Sequence, residues 1–179
     1  MLDILRKRRS IRKYMDKEID PETIELLEEA ALRAPSSRGI KPWRFVFVTD
    51  KALLEKLSKA KSNGSDFLKG ARLGVVVCAD ENESDVWIED CSIASIILQL
   101  AGLSHGLGSC WIQIRNRMYS SDMSSEEYIR SNLDLPKNMR VESIISFGYS
   151  DEERSSRSSI PKEDLDYHKI ILNYGRGNL

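Results

Sequence analysis

The spacing of apolar and polar residues predicts alternating helices and strands through the first third of the chain. Asp20 stands before a proline, which is typical of a helix N-terminus, and Pro35 predicts the end of that helix. The β-branched and aromatic run over 43–49 predicts a strand. Asp50 follows at once and predicts the cap of a second helix, which extends to about residue 61.

The middle of the chain carries a continuous apolar strand and one long apolar helix. Residues 73–79 predict a strand covered on both faces, a pattern that is common in parallel sheets. The segment 84–104 predicts a helix whose second half is apolar on all sides, so it is buried inside the domain or in a subunit interface. The remaining predicted elements are a loop at 61–70, strands at 109–114 and 141–147, and a helix at 124–133 that begins with a capping box.

The overall pattern contains no internal repeat and no linker, and it therefore predicts a single domain over 1–179. The last twenty residues have scattered apolar groups without a helical or strand period. A tail of this kind is typical of an arm that packs on a partner subunit.

The composition of the chain argues against several classes of protein. The 179 residues are 41% apolar and 31% charged with a net charge of −1, which argues against disorder and against a general nucleic-acid binder. The most apolar stretch, 93–103, is too short to span a bilayer, and no apolar signal segment follows Met1. We therefore expect a cytoplasmic protein with neither a membrane nor a nucleic-acid partner. Cys78, Cys91 and Cys110 form no CxxC pair, so we expect buried thiols and no metal site.

A basic cluster near the N-terminus is the first candidate for a binding site. Arg8, Arg9 and Arg12 surround Ser10. The planar guanidinium of arginine matches phosphate oxygens, and a serine hydroxyl can bond a phosphate or a ring edge. The same cluster is also typical of a solvated basic face or of an arm that contacts nucleic acid. A non-enzymatic module that binds a nucleotide or nucleic acid therefore stays open at this point.

Two loops supply further candidates. Pro35, Ser36 and Ser37 offer hydroxyls and backbone donors in a loop with a proline at each end, although Pro and Ser also favour ordinary helix–strand connections. The sequence GLGS at 106–109 joins the long helix to a strand. Paired glycines let a ligand approach the backbone closely, but the same pattern can be a helix stop followed by a turn.

In this order and at this spacing, the three segments resemble the nitroreductase family of flavin enzymes. The resemblance is carried by RRSIRKY at 8–14, APSSRGIKPWRF at 34–45, DCSIASIILQLAGLSHGLGSCWI at 90–112 and GYSDEERSSR at 148–157. It implies an α+β fold with a central, mostly antiparallel sheet of four strands flanked by helices. It also implies an FMN cofactor and a homodimer in which the C-terminal arm is exchanged between subunits.

The resemblance further implies a set of FMN contacts. Arg8 would contact the phosphate, and Ser10 and Arg12 would reach the ribityl chain and the pyrimidine edge of the ring. The other implied contacts are Arg9 beside these three; Leu107, Gly108 and Ser109 against the ring near N5; Pro35, Ser36 and Ser37 from the other subunit; and Arg154 or Arg157 as a second phosphate cation. Where relatives commonly carry Asn and Gln in the PSS loop, this chain has Gly39 and Lys41.

The activity implied by the resemblance is electron transfer from NAD(P)H to an oxidised acceptor, which could be a nitroaromatic, a quinone or a flavin, in a ping-pong reaction. The flavin itself performs the electron transfer, so no catalytic side chain is expected. Another flavin chemistry on the same scaffold, such as dehalogenation, enone reduction or flavin breakdown, is the alternative.

Overall fold

Four strands form one antiparallel sheet in the computed structural model, which describes residues 1–153. The strands are β1 (Trp43–Val48), β2 (Leu73–Asp80), β3 (Gly108–Gln113) and β4 (Met139–Gly148), in the spatial order β1-β2-β4-β3. Every neighbouring pair is antiparallel, which confirms the α+β fold. The parallel sheet favoured by the apolar run of β2 is wrong. The apolar run indicates only that both faces of the strand are buried. An inner strand of an antiparallel sheet between two helical layers is buried in the same way.

Five α-helices surround the sheet within the described residues. They are α1 (Leu2–Lys7), α2 (Pro21–Leu32), α3 (Lys51–Ser58), α4 (Trp87–Ser104) and α5 (Ser125–Asn132), and two short 3-10 helices lie at Ser37–Gly39 and Asp66–Gly70. The predicted caps are confirmed, since the carboxylates of Asp20 and Asp50 each accept a backbone N–H and Ser124 forms a capping box. None of these helices is long and apolar enough to cross a membrane.

Apolar side chains fill both faces of the sheet. On one face, α2 and α4 pack on β2 and β4, and on the other face α3, α5 and the second 3-10 helix pack on the same strands. The first cluster includes Leu27, Ala31, Ala94, Leu98, Val75, Val77, Ile145 and Phe147, and the second includes Leu54, Leu57, Leu68, Ile129, Val76 and Ile144. The two layers fix α4 against the sheet, and both ends of α4 matter for the site.

Three elements differ from the predicted boundaries. Helix α1 was not predicted, because it is only six residues long and none of them is buried. The predicted start of α4 at Ser84 is three residues early, since the Ser84 hydroxyl accepts the amide of Val86 in a preceding turn. The predicted loop at 61–70 contains a 3-10 helix, which buries Leu68 completely.

A β-bulge interrupts the pairing of the two inner strands. Val77 pairs with Ser143 and Cys78 pairs with Val141, so Glu142 is an extra residue in β4. A bulge changes the direction in which side chains point along the strand. The Glu142 side chain is buried, with 4% of its surface exposed, although glutamate ordinarily lies at the surface.

The segment after α1 runs along one end of the sheet and ties the N-terminus to β3 and β4. The amide of Ile11 donates to the carbonyl of Ser109 at 2.9 Å, and the amide of Met15 donates to the carbonyl of Tyr149 at 2.9 Å. The amide of Asp151 completes the contact by donating to Lys13. The basic cluster therefore lies beside the turn between α4 and β3.

Candidate functional site

A cleft of about 190 Å³ lies between the N-terminal segment and the turn after α4. It brings together two of the three segments that the sequence singles out, the basic cluster and the GLGS turn. Its lining residues are Lys7, Arg8, Arg9, Ile11, Leu103, Gly106, Leu107, Gly108, Ser109, Ser150 and Glu152. Three cations face one carboxylate here, so the cleft suits an anionic group such as a phosphate.

Close backbone packing at Gly108 forms the wall of this cleft. A Cβ at Gly108 would lie 2.9 Å from the Cβ and both γ-carbons of Ile11, which is closer than real atoms approach. Gly106 has a φ of +79°, a conformation that glycine adopts without strain and that ends α4. The two glycines therefore serve the turn and the docking of the N-terminal segment. The reading of GLGS as a helix stop and its reading as part of a binding site are both consistent with the structure.

The hydroxyl of Tyr14 locks the N-terminal segment onto the sheet. It donates to the carbonyl of Ile11 at 2.6 Å and lies 2.7 Å from the Oγ of Ser146. Burial raises the pKa of Tyr14 well above its usual value, so the hydroxyl keeps its proton. The sequence reasoning missed this role. The signal in the sequence was an aromatic residue two positions after Arg12. In the structure, the Tyr14 ring lies against Gly148, whose missing side chain leaves room for it.

Glu152 fixes the backbone of the basic cluster. Its Oε1 accepts the amide of Arg12 at 2.5 Å and the amide of Lys13 at 3.2 Å. These contacts span almost the whole described chain, so no local sequence pattern could have revealed them. The Arg12 guanidinium lies 5.7 Å from the centre of the Phe67 ring, and Arg12 does not line the cleft with Arg8.

The loop that carries Pro35, Ser36 and Ser37 lies at the opposite end of α4. The amide of Ser37 donates to Oδ1 of Asp90 at 2.8 Å, in the first turn of the helix, whereas Leu103 in the last turn lines the cleft. Thirteen residues separate these two positions, which is about 20 Å along a helix at ~1.5 Å per residue. One chain therefore does not bring the third segment into the cleft.

The loop itself is tightly turned. The Oγ of Ser36 accepts the amide of Lys41 at 2.8 Å, which closes the loop on itself. Arg38, Gly39 and Lys41 all have positive φ angles, of 54°, 68° and 56°. Only Gly39 adopts this region without steric cost, so the surrounding contacts must hold Arg38 and Lys41 in place. Gly39 and Lys41, the two residues that depart from the usual loop sequence, thus both have positive φ angles.

Acidic side chains are buried at this end of α4. Asp90 is 2% exposed and Glu142 is 4% exposed. One oxygen of each carboxylate has no hydrogen-bond partner within residues 1–153, and the same holds for the Trp43 indole nitrogen. Burial raises the pKa of Glu142, and the hydrogen bond from Gln113 only partly offsets this effect.

The cysteines do not form a reactive centre. All three are buried, as predicted, and burial raises the pKa of Cys78 to about 12, so its thiol stays protonated. Burial also raises the pKa of Cys91 well above its usual value. No group of three His, Cys, Asp or Glu side chains in the described part of the chain could hold a metal ion. Arg154 and Arg157, the predicted second phosphate cations, and the exchanged C-terminal arm lie outside the described residues.

Comparison with known proteins identifies the family. A model of the nitroreductase family matches residues 5–82. A protein of Archaeoglobus fulgidus, provisionally named an NADH dehydrogenase/NAD(P)H nitroreductase, is 37% identical over an alignment that covers 86% of this chain and 87% of that protein. The chain belongs to the nitroreductase family.

One solved structure and one further relative agree with this assignment. An FMN-dependent nitroreductase from Clostridium difficile R20291 matches with a TM-score of 0.92 and 47% identity, over 99% of this chain and 100% of that one. The FMN reductase [NAD(P)H] of Bacillus subtilis is 22% identical and aligns with 92% of this chain and 72% of its own length. The resemblance to the nitroreductase family that the three segments carry is therefore confirmed.

Proposed function

We propose that this nitroreductase-family member binds FMN in the cleft beside Gly108 and transfers electrons from NAD(P)H to a small oxidised acceptor. Membership of the family makes the chain an NAD(P)H-dependent flavin oxidoreductase. The observation that carries the assignment of the site is the meeting of Arg8 and Arg9 with the GLGS turn in one cleft. A group that combines a terminal phosphate with a flat ring fits a site with cations at one side and an open backbone turn at the other.

The residues of the cleft fit the parts of FMN. Arg8 would hold the phosphate, with Arg9 and Lys7 adding positive charge. Ser10 does not line the cleft, but it pairs with Ser109 beside it and would bond the ribityl chain from there. Leu107, Gly108 and Ser109 would lie against the ring. When bound, FMN supplies the chemistry, since it accepts two electrons from NAD(P)H and passes them to the acceptor.

Arg12 has a separate role in this proposal. A cation at the pyrimidine edge stabilises the negative charge that reduction places there. The backbone amide of Arg12 is fixed by Glu152, and its guanidinium lies over Phe67. The protein therefore holds the main chain of Arg12, and its long side chain would reach the ligand from there.

We also propose that the working unit is a homodimer in which Pro35, Ser36 and Ser37 of one subunit close over the FMN of the other. The separation of about 20 Å along α4 keeps these residues from the cleft of their own chain. The cleft of about 190 Å³ is smaller than the roughly 300–1,000 Å³ of sites that bury most of a ligand. Exposed apolar side chains on α2 and α4, namely Leu26, Leu32, Ile93 and Ile96, offer a surface for a second copy.

Purification tests the cofactor directly. The protein should be yellow, and chromatography of the flavin released by denaturation should give FMN rather than FAD. Recovery of FAD, or no flavin after incubation with excess FMN, would contradict the proposal. Light scattering tests the dimer, and a monomer that holds FMN at micromolar concentration would exclude a shared site.

Steady-state kinetics test the reaction. One cleft that serves NAD(P)H and the acceptor in turn should give parallel lines when the inverse rate is plotted against the inverse concentration of one substrate at several concentrations of the other. Nitroaromatics, quinones and free flavins are the acceptors to compare. Intersecting lines would indicate that both substrates bind at once and would exclude the ping-pong order.

A further inference from the structure

Asp90 connects the interior of the protein to the loop that carries Ser36 and Ser37. It lies in the first turn of α4 and is 2% exposed, although aspartate is almost never this deeply buried without partners. Its Oδ1 accepts the amide of Ser37 at 2.8 Å. Its Oδ2 is buried without a hydrogen-bond partner among the described residues. The positive end of the α4 dipole favours negative charge at this position.

The loop depends on such an anchor. Arg38 and Lys41 hold positive φ angles that cost free energy in non-glycine residues, so contacts from outside the loop must maintain its shape. Two acidic residues near the start of α4 contact its 3-10 turn. Asp85 pairs with the Arg38 side chain at the surface, where both side chains are more than half exposed, and such pairs contribute little. Asp90 makes the buried contact, which is charge-assisted and therefore the stronger of the two.

We propose that Asp90 is a positioning residue that holds the Pro35–Ser37 loop and thereby sets the FMN affinity of the partner subunit's cleft. The inference rests on the shared site of the proposed function. Asp90 does not line the cleft of its own chain, so a local effect on that cleft is not expected. The loss of Asp90 should instead weaken FMN binding in the cleft of the partner subunit.

The first experiment compares Asp90→Ala, Asp90→Asn and the surface control Asp85→Ala. Apo proteins are titrated with FMN while the quenching of FMN fluorescence is followed, and circular dichroism verifies that each is folded. Asp90→Ala should bind FMN roughly tenfold more weakly, because a hydrogen bond to a charged group is lost. Asp90→Asn keeps an oxygen that can accept the Ser37 amide and should stay within about threefold of the wild type. Asp85→Ala should match the wild type.

The second experiment separates action within a chain from action across the dimer. Two differently tagged chains, one with Arg8→Ala and one with Asp90→Ala, are refolded together and the hybrid is isolated. If Asp90 acts across the interface, one cleft of the hybrid carries both lesions and the other carries none. Half of the sites should then bind FMN with wild-type affinity. A parallel hybrid pairs Arg8→Ala with a Ser36→Ala/Ser37→Ala chain.

The two hybrids distinguish the failure of this inference from the failure of the proposed function. Recovery of half the sites in both hybrids supports the role of Asp90. Recovery only in the serine hybrid leaves the shared site intact and overturns the role of Asp90. Recovery in neither hybrid overturns the shared site together with this inference. Folded Asp90→Ala protein with wild-type affinity, or equal weakening in Asp90→Ala and Asp90→Asn, also overturns the inference.

Discussion

The two ends of α4 form opposite environments. At the C-terminal end, three cations line an open cleft, and in its wall the backbone of Gly108 packs against the side chain of Ile11. At the N-terminal end, Asp90 and Glu142 are buried and a tightly turned loop is tied to one of them. Within residues 1–153, the first end offers an anion a binding surface. The second end offers a loop that is closed on itself, tied to Asp90 and absent from the lining of its own cleft.

This difference indicates how one sequence can supply two parts of one site. A single apolar helix carries a cleft at one end and a loop at the other, about 20 Å apart. In the proposed dimer, a second copy supplies the part that each cleft lacks. Substitutions at the cleft end should therefore damage the site of the same chain, and substitutions at the loop end should damage the site of the partner.

The largest effect is expected from a substitution at the cleft end. Gly108→Ala places a Cβ against the Cβ and γ-carbons of Ile11, which cannot move without displacing the backbone of the N-terminal segment. Overpacking of this kind should reduce the free energy of unfolding by about 2–3 kcal/mol and should abolish tight FMN binding. Urea unfolding of the apo protein and FMN titration measure the two effects.

Gly70→Ala is the matched control, because a Cβ at Gly70 meets no atom within 4 Å and its φ is not positive. It should change neither stability nor FMN affinity appreciably. Equal behaviour of the two variants would mean that the close packing at Gly108 does not hold the cleft together.

The next largest effect is expected from the cations of the cleft. Arg8→Ala should weaken FMN binding by roughly 10- to 100-fold, because a charge-assisted phosphate contact is lost. Arg6→Ala is the matched control, since the Arg6 side chain is exposed and pairs with Asp3 on the surface. It should change the affinity by a factor of only a few. Lys7 lines the cleft and should have an intermediate effect. Equal affinities in all three variants would indicate that the basic cluster is a solvated face and not a phosphate-binding site.

Much of the cleft end could be predicted from the sequence because its signals are local. Arg8, Arg9, Leu107, Gly108 and Ser109 occur in short segments whose composition points to phosphate or backbone contacts, and the structure brings them together. The strands and helices carried equally local signals in caps and apolar periods. The antiparallel order could not be read from β2 itself, since burial on both faces does not determine strand direction.

The loop end could not be predicted in the same way because its contacts join distant residues. The Ser37–Asp90 bond spans 53 positions, and the bulge at Glu142 depends on the pairing of two strands. At the cleft end, the contact of Glu152 with Arg12 is also distant in sequence and spans 140 positions. A buried acid in a helix or strand looks like a surface acid in the sequence, so only the fold could reveal these groups.

A smaller effect is expected where the N-terminal segment is tied to the sheet. Tyr14→Phe keeps the ring and removes the hydroxyl that bonds Ile11 and Ser146. The free energy of unfolding should fall by about 1 kcal/mol, while FMN affinity changes little because the hydroxyl lies outside the cleft. Tyr119→Phe, at a half-exposed ring stacked on Tyr128, should leave stability unchanged. A large loss of FMN binding in Tyr14→Phe would place the hydroxyl in the site.

The smallest expected effect is a pH dependence at the loop end. Burial raises the pKa of Glu142, so near the ordinary glutamate pKa the folded protein binds more protons than the unfolded chain. Its contribution to stability is therefore greatest at low pH and is lost as the pH rises through the folded pKa. Urea unfolding across this range should show wild-type stability falling relative to Glu142→Gln. The pH dependence from Asp20 has the opposite sign. Hydrogen bonds from Thr23 lower the pKa of Asp20, so its contribution to the free energy of unfolding is lost as the pH falls. Wild-type stability that rises with pH relative to Glu142→Gln would contradict this prediction, because it would mean that the buried carboxylate is stabilised in its charged form.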